Sequence, residues 1–207
     1  MEESNNIIDY YLTVSSPWGY LGATRLKEIA SRRHAKISYL PINIADMFAK
    51  TGGILLKNRS VERQNYRLSE LNRWSKYLGI EINLHPKFLH ASDHLANKVI
   101  IVLRHMELDP GPLAMAFGRA IWLEDRDISD PGIIEVLIRE HKMDSSSLIA
   151  VAQSQDIEEI FRQDTARAIS RGVFGVPSYL TSGNIFWGQD RLDFLEMSLS
   201  ENASEQT

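Results

Sequence analysis

Strand-like segments are confined to the two ends of this chain, and the long middle contains none. Residues 7–14 (IIDYYLTV) are rich in β-branched and aromatic side chains and short enough for one strand. Ser16 then offers a helix N-cap and Pro17 a first helical residue, which predicts a helix to about Arg33. Leu21, Ala23, Leu26, Ile29 and Ala30 form its buried side. Residues 36–42 (KISYLPI) read as a second strand. Strand, helix and strand at this spacing make a βαβ unit with parallel pairing. At the other end, residues 176–181 and 185–187 read as a hairpin around Ser182-Gly183-Asn184. A last helix follows, with Leu192, Leu195 and Leu199 at helical spacing.

The middle reads as helices throughout. Ser60 caps one that Gly79 ends, and further helices are expected over 91–106, 111–122, 131–141 and 145–152. Asp156 and Glu159 are spaced as a capping box for the next helix. Ile157, Ile160, Phe161, Ala168 and Ile169 form its apolar stripe, Arg167 and Arg171 sit near its negative end, and Gly172 stops it. The order is βαβ, an all-helical block, then αββα.

Composition limits the chemistry. None of the 207 residues is Cys, which excludes disulfides, thiolate zinc sites, iron–sulfur clusters, dithiol exchange and a Cys nucleophile. A net charge of −4 argues against nucleic acid or an anionic membrane as main partner. The start (MEESNN) has neither the basic nor the apolar region of a signal peptide, and no apolar run reaches the ~20 residues of a membrane span. A cytoplasmic location is the expectation, with a frayed polar tail over 200–207.

βαβ followed by αββα is the order of a thioredoxin-like fold. Ser16-Pro17-Trp18-Gly19 stands where a redox member shows Cys-Pro-x-Cys, and Gly175-Val176-Pro177-Ser178 stands at the proline loop. Tyr10-Tyr11, Tyr20-Leu21, Tyr66 with Arg73-Trp74, 172–177 (GVFGVP) and 186–192 (FWGQDRL) complete an ordered set spanning almost the whole chain. The set resembles the 2-hydroxychromene-2-carboxylate isomerase family, which is related to kappa-class glutathione transferases. The fold expected is α/β, thioredoxin-like with a large helical insertion of DsbA or kappa type. Residues 1–59 and 153–207 would form the thioredoxin-like domain and 60–152 the insertion. The resemblance implies glutathione as cofactor, a small aromatic carboxylate as substrate, and a homodimer.

Site residues follow, each beside its plainer role. Ser16 caps a helix whose N-terminal N–H groups stabilise a thiolate; the resemblance makes it the donor to the glutathione sulfur. No base surrounds it as in a hydrolase. Val176 and Pro177 either begin an ordinary strand or, with a cis bond, present backbone to a peptide such as glutathione. Gln189 and Asp190, with Arg191, open the last helix, where N–H groups and Asp190 suit the γ-glutamyl group; Asp190 is equally an N-cap.

Lys57, Asn58 and Arg59 lead into a helix bearing Arg63, Tyr66 and Arg73. That face is either solvated and paired with Glu62 and Glu70 or a cationic wall for a carboxylate. The resemblance places Asn58 on glutathione and Arg59 and Tyr66 on substrate. Trp18 and Trp187 flank the ligand motifs and are expected beside the substrate. His85, His90, Asp93 and His94 lack the H-E-x-x-H pattern, so no metal is expected. The activity implied is glutathione-dependent interconversion of 2-hydroxychromene-2-carboxylate and trans-o-hydroxybenzylidenepyruvate. The alternatives are a kappa-like glutathione transferase and a thioredoxin-like scaffold without chemistry.

Overall fold

The computed structural model describes residues 7–204. Residues 1–6, expected to hold no targeting signal, and residues 205–207 of the tail lie outside the described part. Four strands form one mixed sheet in the order β2-β1-β3-β4. β1 (Ile7–Leu12) lies parallel to β2 (Lys36–Pro41), with Tyr10 opposite Tyr39; α1 (Pro17–Arg32) makes the crossover that parallel pairing requires. β3 (Ser178–Thr181) runs antiparallel to both β1 and β4 (Asn184–Trp187). The hairpin turn is shorter than the sequence suggests. Ser182 and Gly183, both at positive φ, form it alone, and Asn184 already pairs with Thr181. Two such residues match the right-handed twist of the flanking strands.

Alternation along β1 sends side chains to two faces. Ile8, Tyr10 and Leu12 meet Leu26 and Ile29 of α1 and Leu192 and Leu195 of α9 (Leu192–Ser204). Tyr11 meets Leu40, Ile42 and Leu180, covered by Met47 of α2 (Ile44–Thr51) and Ala168 of α8 (Gln155–Ser170). α2 has no counterpart in the sequence reading. Asn43 caps it by accepting from the Ala45 and Asp46 N–H groups, and Gly52 ends it at φ +77.

Between β2 and α8 stand α3 (Val61–Leu78), α4 (His94–His105), α5 (Gly111–Trp122), α6 (Pro131–Glu140) and α7 (Ser145–Ala152). The Ser60 and Gly79 caps of α3 are as expected. α4 is buried over most of its length and packs on β2, α7 and α8. The first core therefore runs without a break from β1 through α4, α5 and α6 to α8.

Two local expectations need correction. The N-cap of α8 is Ser154, whose Oγ accepts from the Ile157 N–H at 3.3 Å; Asp156 lies inside the first turn and Glu159 turns outward to Arg162. Ser154 caps as well as Asp156 would and starts the helix earlier. On α1, Gly22 rather than Ala23 is buried, because Gln189 and Tyr179 close over it. α9 continues past Ser200 to Ser204. Among the described residues no helix is long and apolar enough to cross a membrane.

Candidate functional site

The turn between β1 and α1 carries Ser16, which is 7% exposed. Its Oγ accepts from the Gly19 N–H at 3.2 Å, and its carbonyl accepts from the Tyr20 N–H at 3.0 Å. The capping role expected of Ser16 is thus realised. A hydroxyl that accepts still has its own proton to donate. Pro17 has no N–H, so among the described residues the Trp18 N–H is the free donor of this first turn. Ser16 lines a cavity of about 780 Å³ that runs from the carboxyl end of β1 along β2 from Tyr39 to Lys36, at the amino end of that strand. Leu12, Leu26 and Ile37 give it apolar walls, and Tyr10 and Tyr39 add hydroxyls.

Tyr10 stands against the Ser16 turn: a Cβ on Gly19 would lie 3.2 Å from its hydroxyl oxygen. It stacks on Tyr179 at 5.2 Å between ring centroids. Burial, and then the neighbouring Tyr39, hold the Tyr10 pKa well above the ordinary phenol range, so the group stays a neutral donor.

Residues far away in sequence hold this turn. Asn97 of α4, 1% exposed, accepts from the Val14 N–H at 3.0 Å and donates to the Thr13 hydroxyl at 3.2 Å. Asp93 accepts from the hydroxyls of Thr13 and Ser15. The Trp122 indole of α5 donates to the Ser15 carbonyl at 3.1 Å. Sequence reasoning missed Asn97 and Trp122 and treated Asp93 only as a metal candidate. In sequence Asn97 stands beside Lys98 at the head of the apolar run 99–103, and nothing there names its partner.

The Val176–Pro177 bond is cis. Among the described residues the Val176 N–H and C=O have no hydrogen-bond partner. Trp187 stands over this loop, its ring edge-on to Phe174 at 4.8 Å. A Cβ on Gly175 would lie 2.6 Å from the indole nitrogen, so the close approach depends on that glycine. Trp187 remains 51% exposed.

Gln189 and Asp190 do open the final helical segment, as a short 3₁₀ turn, and they diverge there. The Gln189 side chain is buried against α1, its Oε1 accepting from Arg25 at 3.3 Å. Its Nε2 is one of two buried side-chain polar atoms without a partner among the described residues; the other is the Tyr179 hydroxyl. Asp190 is exposed and pairs with Arg191 at 3.2 Å.

The remaining candidates lie on and before α3. Asn58 is exposed in a short 3₁₀ turn (Leu56–Asn58), and Tyr66 is exposed too. Trp18 is half-buried in the first turn of α1. Arg59 donates through Nε to the Ile54 carbonyl at 2.8 Å. Arg73 pairs with Glu70, as the solvated reading expects, whereas Glu62 turns to the Ser60 cap. Of the histidine group, His94 joins Glu158 at 2.8 Å. Among the described residues no three His, Cys, Asp or Glu side chains gather as a metal site.

The comparisons agree with this architecture. The family model of the DSBA-like thioredoxin domain matches residues 7–200. A 2-hydroxychromene-2-carboxylate isomerase of Sphingobium xenophagum is 29% identical over 193 residues, 93% of this chain and 97% of that protein. A glutathione S-transferase kappa 2 of Caenorhabditis elegans is 24% identical over 212 residues, 93% of this chain and 92% of that one. A solved 2-hydroxychromene-2-carboxylate isomerase structure superposes with a TM-score of 0.80 at 24% identity, covering 97% of both chains.

Proposed function

Since the chain belongs to the DSBA-like thioredoxin family, we propose that it is a glutathione-dependent cis–trans isomerase, interconverting 2-hydroxychromene-2-carboxylate and trans-o-hydroxybenzylidenepyruvate in aromatic catabolism. One observation carries this reading: a buried serine, with its own proton to donate, caps a helix at the wall of a large cavity in a chain without cysteine. Where redox relatives keep a protein thiol, this chain has a site suited to a thiol from outside. The groups present fit glutathione. Ser16 and the Trp18 N–H, donors at the start of α1, would hold the sulfur, and the unpaired Val176 backbone would suit the peptide. Asp190 and Asn58 would hold the polar ends.

When bound, glutathione supplies a reversible thiolate nucleophile that makes a conjugated double bond single long enough to rotate. The protein's part is electrostatic and positional. Ser16 would donate to the sulfur, and the α1 N-terminus would favour its negative charge. Tyr10 stays protonated in the cavity and takes no proton from substrate. Trp18, Trp187, Arg59 and Tyr66 would border the substrate.

Incubation of 2-hydroxychromene-2-carboxylate with the protein tests the reading. The expected result is equilibration with the trans isomer only when glutathione is present, at constant free-thiol titre. Isomerisation without glutathione would contradict it. A kappa-like transferase is the second reading, favoured by the kappa-class relative; falling thiol titre with a lasting conjugate would select it.

A further inference from the structure

Arg59, Arg63 and Arg67 recur four residues apart, so Arg63 and Arg67 stack along one face of α3 and Arg59 stands just before it. Like charges at this spacing repel. Among the described residues none of the three has a carboxylate within 4.0 Å. The nearest acids in sequence are committed elsewhere, Glu62 to the Ser60 cap and Glu70 to Arg73. Arg67 is the half-buried member. Its guanidinium lies 5.6 Å from the centre of the Trp122 ring. Trp122 is itself 1% exposed and donates to the Ser15 carbonyl, one residue before Ser16. Burial, and then the charge on Arg59, pull the Arg67 pKa down to about 10. A half-buried cation without a carboxylate partner thus stands over the ring that donates to the Ser15 carbonyl, an arrangement that a bound anion would relieve.

We propose that Arg67, backed by Arg59 and Arg63, binds the carboxylate of the substrate. The inference rests on the functional reading above. The planar guanidinium can grip a carboxylate through two parallel hydrogen bonds while the ring of Trp122 supports its face. Arg67 lies outside the residues singled out from the sequence, because the stripe is visible only when Arg59 and Arg63 are continued to it.

The test is calorimetric titration with 2-hydroxycinnamate, which has the ring, hydroxyl, conjugated bond and carboxylate, and with its amide. Glutathione is titrated in parallel. In Arg67→Met, 2-hydroxycinnamate should bind roughly ten- to a hundredfold more weakly, the range for losing a charge-assisted hydrogen bond. The amide should bind both proteins equally, and glutathione affinity should stay within about twofold, well under the 1.4 kcal/mol of a tenfold change. Arg67→Lys should restore binding only in part. Unchanged 2-hydroxycinnamate affinity in a folded Arg67→Met protein overturns the proposal. So does an equal loss for glutathione, which would make the bound carboxylate glutathione's. If the wild type binds 2-hydroxycinnamate through Arg67 but takes no glutathione, the isomerase reading falls and the carboxylate site stands.

Discussion

Asn97 shows how one side chain can govern a site it does not enter. Its carboxamide satisfies the buried Val14 N–H and reaches the Thr13 hydroxyl, two points on the turn that ends at Ser16. Asn97→Ala leaves that N–H buried without a partner, which costs about 1–3 kcal/mol. The turn also loses a brace from α4. Thermal melts should show a lowered Tm, and glutathione should bind the variant with less thiolate formed than in wild type. Unchanged stability and unchanged thiolate yield would show that Asp93 and Trp122 hold the turn unaided. Ser16 was legible in the sequence because Ser-Pro starts a helix in a recognisable order of elements. Asn97 was not, since an amide at the head of the apolar run of α4 carries no local signal of a partner 83 residues away.

Pairs of helices are clasped by carboxylates at their rims. Glu196 of α9 bridges Arg32 and Arg33 at the end of α1, at 2.9 and 3.2 Å. Glu158 of α8 meets His94 and Lys98 of α4, at 2.8 and 3.0 Å. These partners, through hydrogen bonds first, hold both carboxyls below the ordinary value of 4.5. A carboxyl with a lowered pKa in the folded state adds stability above its unfolded value, and that stability is lost as pH falls through the folded one. Tm should therefore be level above about pH 5 and fall progressively from about 4.5 downward. Glu196→Gln should lower Tm at neutral pH and shrink its fall on acidification; an unaltered acid slope would remove Glu196 as a contributor. Solvent screening keeps each effect small. At this scale the caps decided what was readable. Ser60 and Gly79 marked α3 plainly, whereas at α8 the Asp156 and Glu159 spacing drew the expected start past Ser154, the residue that caps it. α2 was missed because eight residues give too little periodicity to stand out from a loop.

The sheet and the helical block share one core, since the apolar cluster of β1 and α1 continues into α4, α5 and α6. That continuity places Asp93 and Asn97 of α4, Trp122 of α5 and Arg67 of α3 around a turn whose own residues come from the first strand and helix. The order of elements was legible from the strands at the two ends. The closure of the helices over Ser16 was not, since it depends on which apolar faces meet in three dimensions. On the proposed reading the absence of cysteine takes its meaning from this arrangement: a helix N-terminus, a buried serine and a cavity are present, and the thiol would come with glutathione. The most direct test is ultraviolet thiolate absorbance on adding glutathione about two pH units below the ordinary thiol value of ~8.5. Wild type should raise a saturable thiolate signal, Asp190→Ala should need more glutathione to reach it, and Ser16→Ala should bind glutathione with little or no such signal. No thiolate in the wild type, or the same thiolate without the Ser16 hydroxyl, would contradict the assignment of this turn as a glutathione site.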